Sequence, residues 1–230
     1  RSAVPARSEM CKETVPVQVT HIPGITRVRY TNSTKQDVRL VTAGEDHLVR
    51  LLPSEPTATD VIPLVMEDAT QNISWIEANN KYLVTASEDG AVRLYQHALQ
   101  SEDDPQKATS CIRIVRREVL PVRCVSLERA TESPRAAICS DELIIRVASV
   151  EDPRQITLLT GHTRGVRAAS WSPILPLLVS CGSDGDIRVW DMSSSEGSCV
   201  KVISNQLPAL RPESEYTSLA CWHPSGRLLA

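Results

Sequence analysis

The residue types that could do chemistry together lie close in this sequence. His162, Ser180, Asp184 and Trp190 all fall within GHTRGVRAASWSPILPLLVSCGSDGDIRVWD, which ends at Asp191. Ser, His and Asp are the set used for nucleophilic hydrolysis. That reaction needs an exposed hydroxyl beside amide donors that hold an oxyanion. The sequence has no G-x-S-x-G elbow, and Ser180 alternates within an apolar run as a strand residue does. The same side chains suit a different task. A buried imidazole needs a partner at each nitrogen. A carboxylate can accept from it and from turn amides, and a serine hydroxyl can satisfy an indole N–H. The four residues are therefore expected to fasten strands, with no catalytic residue among them. His47, His97 and His223 show no metal-ligand spacing, and no metal or cofactor is expected.

The elements that must position these residues recur along the chain. LVSCGSDGDIRVW (178–190) aligns with LVTAGEDHLVRLL (40–52), LVTASEDGAVRLY (83–95) and, more weakly, AAICSDELIIRVA (136–148). An acidic residue holds the seventh place (Asp46, Asp89, Glu142, Asp184) and an arginine the eleventh (Arg50, Arg93, Arg146, Arg188), at spacings of 43, 53 and 42. A period of about 40–45 belongs to four-stranded propeller blades. Within the best unit, GVRAASW, LLVSCG, IRVWD and CVKVIS read as four strands. Gly185 is free to take positive φ in the turn, and Ile187 and Val189 face away from Arg188 and Trp190. YTSLACWHPSGRLLA repeats the start of the unit, with Trp222-His223-Pro224 echoing Trp171-Ser172-Pro173. Blade limits are drawn at 16–60, 61–100, 111–155, 156–205 and 215–230, the last incomplete, after a leader of 1–15. No helical periodicity competes.

Composition agrees. Of 230 residues, 41% are apolar but only 3% aromatic with no Phe, so the core rests on Val, Ile and Leu, which suit strands. A net charge of -3 gives no global pull towards nucleic acid or an anionic membrane. No apolar run approaches a membrane span of about 18 residues. Seven cysteines without a C-x-x-C pair read as reduced, small core residues rather than a disulfide or zinc framework. The chain starts with Arg and stops inside a strand pair, so it is read as a fragment. Its exposed strand edges are expected to make it prone to aggregate.

The unit resembles the WD repeat: GH ahead of a strand, Ser or Thr in the next, Asp in the turn, and W-D at the end of the third. That resemblance implies an all-β, partial WD-repeat β-propeller of about four blades and the start of a fifth, from a ring of seven. It also implies a structural tetrad of His162, Ser180, Asp184 and Trp190. Partial tetrads remain as His21, Thr42 and Asp46, and as Thr85, Asp89 and Tyr95. The segments EVLPVRCVSLERATESPRAAICSDELIIRVASVED, LLTGHTRGVRAASW and VISNQLPALRPESEYTSLACWHPSGRLLA add a second resemblance. Together they are similar to the N-terminal propeller of the minichromosome-loss and chromosome-transmission-fidelity family, relatives of the vertebrate acidic nucleoplasmic DNA-binding protein. VSLERATESPRA departs from the family by lacking an S-P-D-G turn. The family implies a non-enzymatic nuclear scaffold at the replication fork. It would link the replicative helicase to DNA polymerase alpha, with roles in chromatin binding, cohesion and repair, and with its trimerisation region outside this chain.

Contact surfaces are less marked. Arg113, Arg116, Arg117 and Arg123 form a cationic cluster that could face phosphate or a partner, amid Glu118, Glu128, Glu132, Asp141 and Glu142. SEDDP (101–105) has the serine-then-acid pattern of acidophilic kinase sites. No membrane or small-molecule partner is expected. The rival reading is a generic WD-repeat adaptor, such as a ubiquitin-ligase substrate receptor. Such receptors continue W-D with x-Arg, whereas Trp190-Asp191 is followed by Met192-Ser193.

Overall fold

Short apolar runs punctuated by acidic turns fold as sixteen strands in the computed structural model, which describes residues 24–31, 39–53, 64–79, 81–96, 113–128, 133–152, 154–204, 220–223 and 225–226. Among these residues there is no helix. The first sheet holds β1 (Ile25–Thr31), β2 (Arg39–Gly44), β3 (Val49–Pro53) and β4 (Leu64–Met66). The second holds β5 (Ile73–Ala78), β6 (Tyr82–Ser87), β7 (Ala91–Gln96) and β8 (Arg113–Arg117). The third holds β9 (Val122–Leu127), β10 (Arg135–Ser140), β11 (Ile145–Ser149) and β12 (Ile156–Leu159). The fourth holds β13 (Val166–Trp171), β14 (Leu177–Gly182), β15 (Asp186–Asp191) and β16 (Ser198–Ser204). Each sheet is an antiparallel meander in chain order. The first strands of successive sheets, β1, β5, β9 and β13, lie beside one another and form the inner wall.

Stacking explains why the runs are apolar without alternation. Each middle sheet is covered on both faces, so β6, in YLVTAS, is buried along its whole length. One core layer joins Val41, Leu51, Ile76, Leu83 and Tyr95 between the first two sheets. A second joins Val84, Leu94, Val125 and Ile138. A third joins Cys139, Ile145, Leu178, Trp190 and Met192. Cys124 and Cys139 are buried free thiols in the third layer, and Cys181 is one in a separate cluster with Val179, Val189 and Ala220, where burial pushes it up to about 11.

The blade limits drawn from the repeat are displaced by one strand. Residues 64–66, 113–117 and 156–159 close the sheets before them rather than opening the ones after. The repeat signature marks the second and third strands. Which sheet takes the outer strand depends on pairing across β3–β4, β7–β8 and β11–β12, which carries no sequence signature. The third sheet pairs β9 with β10 in unbroken register from Ala136–Leu127 to Cys139–Cys124, despite its unusual connection.

Each inner strand has a bulge near its start, which places Thr26, Ser74, Arg123 and Arg167 at equivalent positions. Thr26 Oγ1 donates to the Ile73 carbonyl at 2.8 Å and Ser74 Oγ to that of Val122 at 2.5 Å, so each hydroxyl ties its sheet to the next. The two arginines span further, as described below.

Candidate functional site

The loop before β13 carries His162 under the turn between β14 and β15. Ser180 sits mid-strand in β14 and Trp190 opposite Leu178 in β15. Trp190 Nε1–H donates to Ser180 Oγ at 2.8 Å, and Ser180 Oγ lies 2.8 Å from His162 Nε2. His162 Nδ1 lies 2.9 Å from Asp184 Oδ2. An indole N–H can only donate, so the serine accepts from Trp190 and donates its proton to Nε2. That leaves Nδ1–H to donate to Asp184. Asp184 also accepts from the amides of Thr163 (2.8 Å) and Asp186 (3.1 Å).

The polar side-chain atoms of the tetrad are all directed and closed off. Ser180 is 0% exposed, so its oxygen meets no substrate from solvent. Burial pushes the His162 imidazole below its usual range despite the pull of Asp184. Burial alone would raise the Asp184 carboxyl. The Thr163 amide, the His162 N–H and the Asp186 amide outweigh it and hold the group below the usual carboxylate range. Gly182 is required here: a Cβ on it would stand 2.4 Å from both Asp184 Oδ1 and His162 Nδ1.

The other sheets hold their seventh-place acid differently. Arg93 Nη2 meets Asp89 at 2.6 Å, Arg50 Nη1 meets Asp46 at 2.7 Å, and Arg146 Nη2 meets Glu142 at 2.6 Å. The eleventh-place arginine is thus an ion-pair partner for the turn acid four residues earlier. In the fourth sheet His162 has taken that acid, and Arg188 turns to Asp186 at 3.1 Å instead. The fifth place is Gly182 where the imidazole fits and Gly44 in the first sheet, but Ser87 and Ser140 in the second and third sheets, whose hydroxyls accept from the Asp89 and Glu142 amides at 3.3 Å.

The second sheet shows what remains when the histidine is absent. Ala69 stands where His162 would, while Thr70 caps Asp89 through its amide (3.1 Å) and hydroxyl (3.0 Å), as Thr163 caps Asp184. Burial would raise Asp89, but Arg93 and the amides of Ala91 and Thr70 hold it well below the carboxylate range. Thr85 Oγ1 is buried without a hydrogen-bond partner, because Ala69 and Tyr95 replace its two expected neighbours. Thr42, Asp46 and Tyr95 occupy the same places in their sheets, and His21 lies outside the described residues.

The cationic cluster is divided by the fold. Arg113, Arg116 and Arg117 belong to the outer strand β8, Arg123 to the inner strand β9. Arg116 Nε donates to the buried Glu118 at 3.1 Å, which also takes Arg146 Nη1 at 2.9 Å. Arg123 reaches Glu88 at 3.2 Å and Asp141 at 2.6 Å, and Arg167 reaches the same Asp141 at 2.9 Å and Ser183 at 2.7 Å. Glu88, Arg123, Asp141, Arg167 and Ser183 therefore form one belt across three sheets. In it each arginine meets at least one carboxylate. The SEDDP loop lies outside the described residues.

Sequence reasoning missed a cleft at the other end of the inner wall. About 500 Å³ in volume, it is lined by Arg29, Trp75, Glu77, Leu127, Trp171 and Trp222, among others. Trp171 Nε1–H donates to the Ser126 carbonyl and Trp222 Nε1–H to that of Ser170, each at 3.1 Å. The W-S-P and W-H-P echo is thus a repeated stitch onto the preceding inner strand. Behind it, Arg135 grips the buried Glu128 with two bonds of 2.8 Å, with its guanidinium 5.0 Å from the centre of the Trp171 ring.

Four-stranded antiparallel sheets around a common inner wall, with this network in the fourth, give the chain the fold of a partial WD-repeat β-propeller. The WD domain, G-beta repeat model matches residues 153–191, a span that includes the whole tetrad. Over 210 residues the chain is 28% identical to minichromosome loss protein 1 of Schizosaccharomyces pombe, covering 91% of this chain and 23% of that protein. It is 27% identical over 192 residues to WD repeat and HMG-box DNA-binding protein 1 of Xenopus laevis, covering 83% of this chain and 16% of that protein. Human striatin-4 matches at 32% over 129 residues, or 51% of this chain and 17% of its own length. The chain spans less than a quarter of the length of each of these relatives.

Proposed function

We propose that this chain is a non-enzymatic scaffold module of a nuclear DNA-replication protein. It holds partners at the fork, among them the replicative helicase and DNA polymerase alpha, and so contributes to chromatin binding, cohesion and repair. The observation that carries this reading is the similarity to minichromosome loss protein 1 along 91% of the chain. Similarity to a protein named for DNA binding points the same way. The tetrad supports a scaffold over a hydrolase because its serine is sealed from solvent. Immobilised on beads, the chain is expected to retain polymerase alpha and helicase subunits from a nuclear extract. Retention of a ubiquitin-ligase adaptor in their place would favour the generic adaptor reading.

A further inference from the structure

Building on the scaffold reading, we propose that the outer edge of the fourth sheet captures an extended segment of a partner protein as an added strand, with a carboxylate of that segment opposite Lys201. β16 stands at the end of the order β13–β14–β15–β16 and pairs with β15 alone. Its other edge therefore carries backbone N–H and C=O groups with no strand beside them among the described residues. All seven residues of β16 are exposed. Apart from a bulge at Val200, its pairing with β15 is regular. Val200 is 56% exposed, Val202 44% and Ile203 41%, and side chains branched at Cβ favour the extended backbone that an added strand needs.

The other outer strands are protected in ways that β16 is not. An open edge is a template for any extended chain, and short length or charge blunts it. β4 and β12 have three and four residues, and β8, in RIVRR, carries three arginines. β16 is the longest of the four and has one charge, Lys201. That side chain is exposed, stands opposite Val189 of β15, and meets no carboxylate among the described residues. SCVKVIS reads almost the same in both directions, so a second copy matches it best when centred on Lys201. That register sets two ammonium groups opposite one another, which destabilises the pair. A foreign strand with Asp or Glu at this place meets an opposite charge instead. Lys201 thus selects against self-pairing and for an acid in the partner. A nucleic-acid backbone fits less well, since it needs a track of cations and has no strand to pair.

The full chain is titrated with a capped Ser-Thr-Val-Glu-Val-Thr-Ser peptide and with its Lys counterpart, and binding is read as hydrogen-exchange protection of residues 198–204. Saturable protection by the Glu peptide is expected, with the Lys peptide binding about threefold to tenfold more weakly. Lys201→Glu should reverse that order, a result that misfolding cannot produce. Backbone pairing is tested separately. Alternate amides of an added strand face the sheet edge, so of two Glu peptides, one N-methylated at both valines and one at the Glu, one should lose binding and the other keep it. Absence of saturable protection, equal affinity for the Glu and Lys peptides, an unreversed order in Lys201→Glu, or equal binding of the two methylated peptides overturns the proposal. So does protection of 198–204 that grows with the concentration of the chain alone, which would make a second copy the occupant. Loss of polymerase and helicase capture with Glu-peptide binding intact would remove the replication-fork reading and leave the edge as argued.

Discussion

Replacing Asp184 with Ala removes the acceptor on which the tetrad ends. Three donors lose their partner: His162 Nδ1–H and the amides of Thr163 and Asp186. The Thr163 amide is exposed and exchanges its bond for one with water. The imidazole cannot, since its side chain is 1% exposed. A stranded buried donor costs about 1–3 kcal/mol, and the half-buried Asp186 amide adds a fraction of that, giving about 2–3 kcal/mol in all. For a chain of this size each kcal/mol moves the melting temperature by about 2–4 °C, so a fall of about 4–12 °C is expected by calorimetry. Asp191→Ala is the matched control: among the described residues that carboxylate accepts hydrogen bonds from Ser193 alone, at the surface, and its loss should leave the melting temperature in place. A double-mutant cycle with His162→Ala isolates the coupling, which should reach about 1 kcal/mol because both residues belong to one network. An unchanged melting temperature for Asp184→Ala, or strict additivity in the cycle, would refute the fastening role.

Three further outcomes are expected. His162 is held below the usual imidazole value of about 6.5, so the unfolded chain binds more protons as pH falls, and the stability the residue contributes is complete above that value and lost below it. The gap in melting temperature between the natural chain and His162→Gln should narrow from pH 7.5 to 5.5, and Asp184 adds a second loss only below the ordinary carboxylate range; a gap that widens on acidification contradicts the sign. Ala69→His alone should lower stability, because Ser87 occupies the space that Gly182 leaves open, while Ala69→His with Ser87→Gly should recover it and satisfy Thr85; equal melting temperatures for the two variants would refute the steric argument. Arg123→Met cuts the belt at Glu88 and Asp141, and partial exposure limits the loss to about 1 kcal/mol in dilute buffer; urea melts in dilute buffer and in molar salt should show that loss shrinking with salt.

Much of this was legible in the sequence because it is local. The four strands around Ser180, the positive-φ Gly185 (φ 83°) and the order of the tetrad all follow from a period of two and a tight turn. The eleventh-place arginine was visible too, but as a marker of period. Its ion pair with the seventh-place acid needs the hairpin that folds one over the other. Neighbours in sequence also misled: Arg117 and Arg123 are six apart, yet the chain crosses from the outer edge of one sheet to the inner wall of the next between them. The cleft was invisible because Arg29, Trp75, Trp171 and Trp222 come from four separate units, joined only by the stacking of inner strands.

The glycine at position 182 also imposes a direction on mutational history. While a unit keeps Gly at that place, imidazole and arginine can compete for the turn acid, and losing the histidine leaves an acid that the arginine can still hold. Once serine enters, as at Ser87 and Ser140, its hydroxyl bonds the turn amide and its Cβ fills the room the imidazole used. A returning histidine then meets an occupied site, and two substitutions must arrive together for either to help. The units with Ser87 and Ser140 carry that obstacle, whereas those with Gly44 and Gly182 do not.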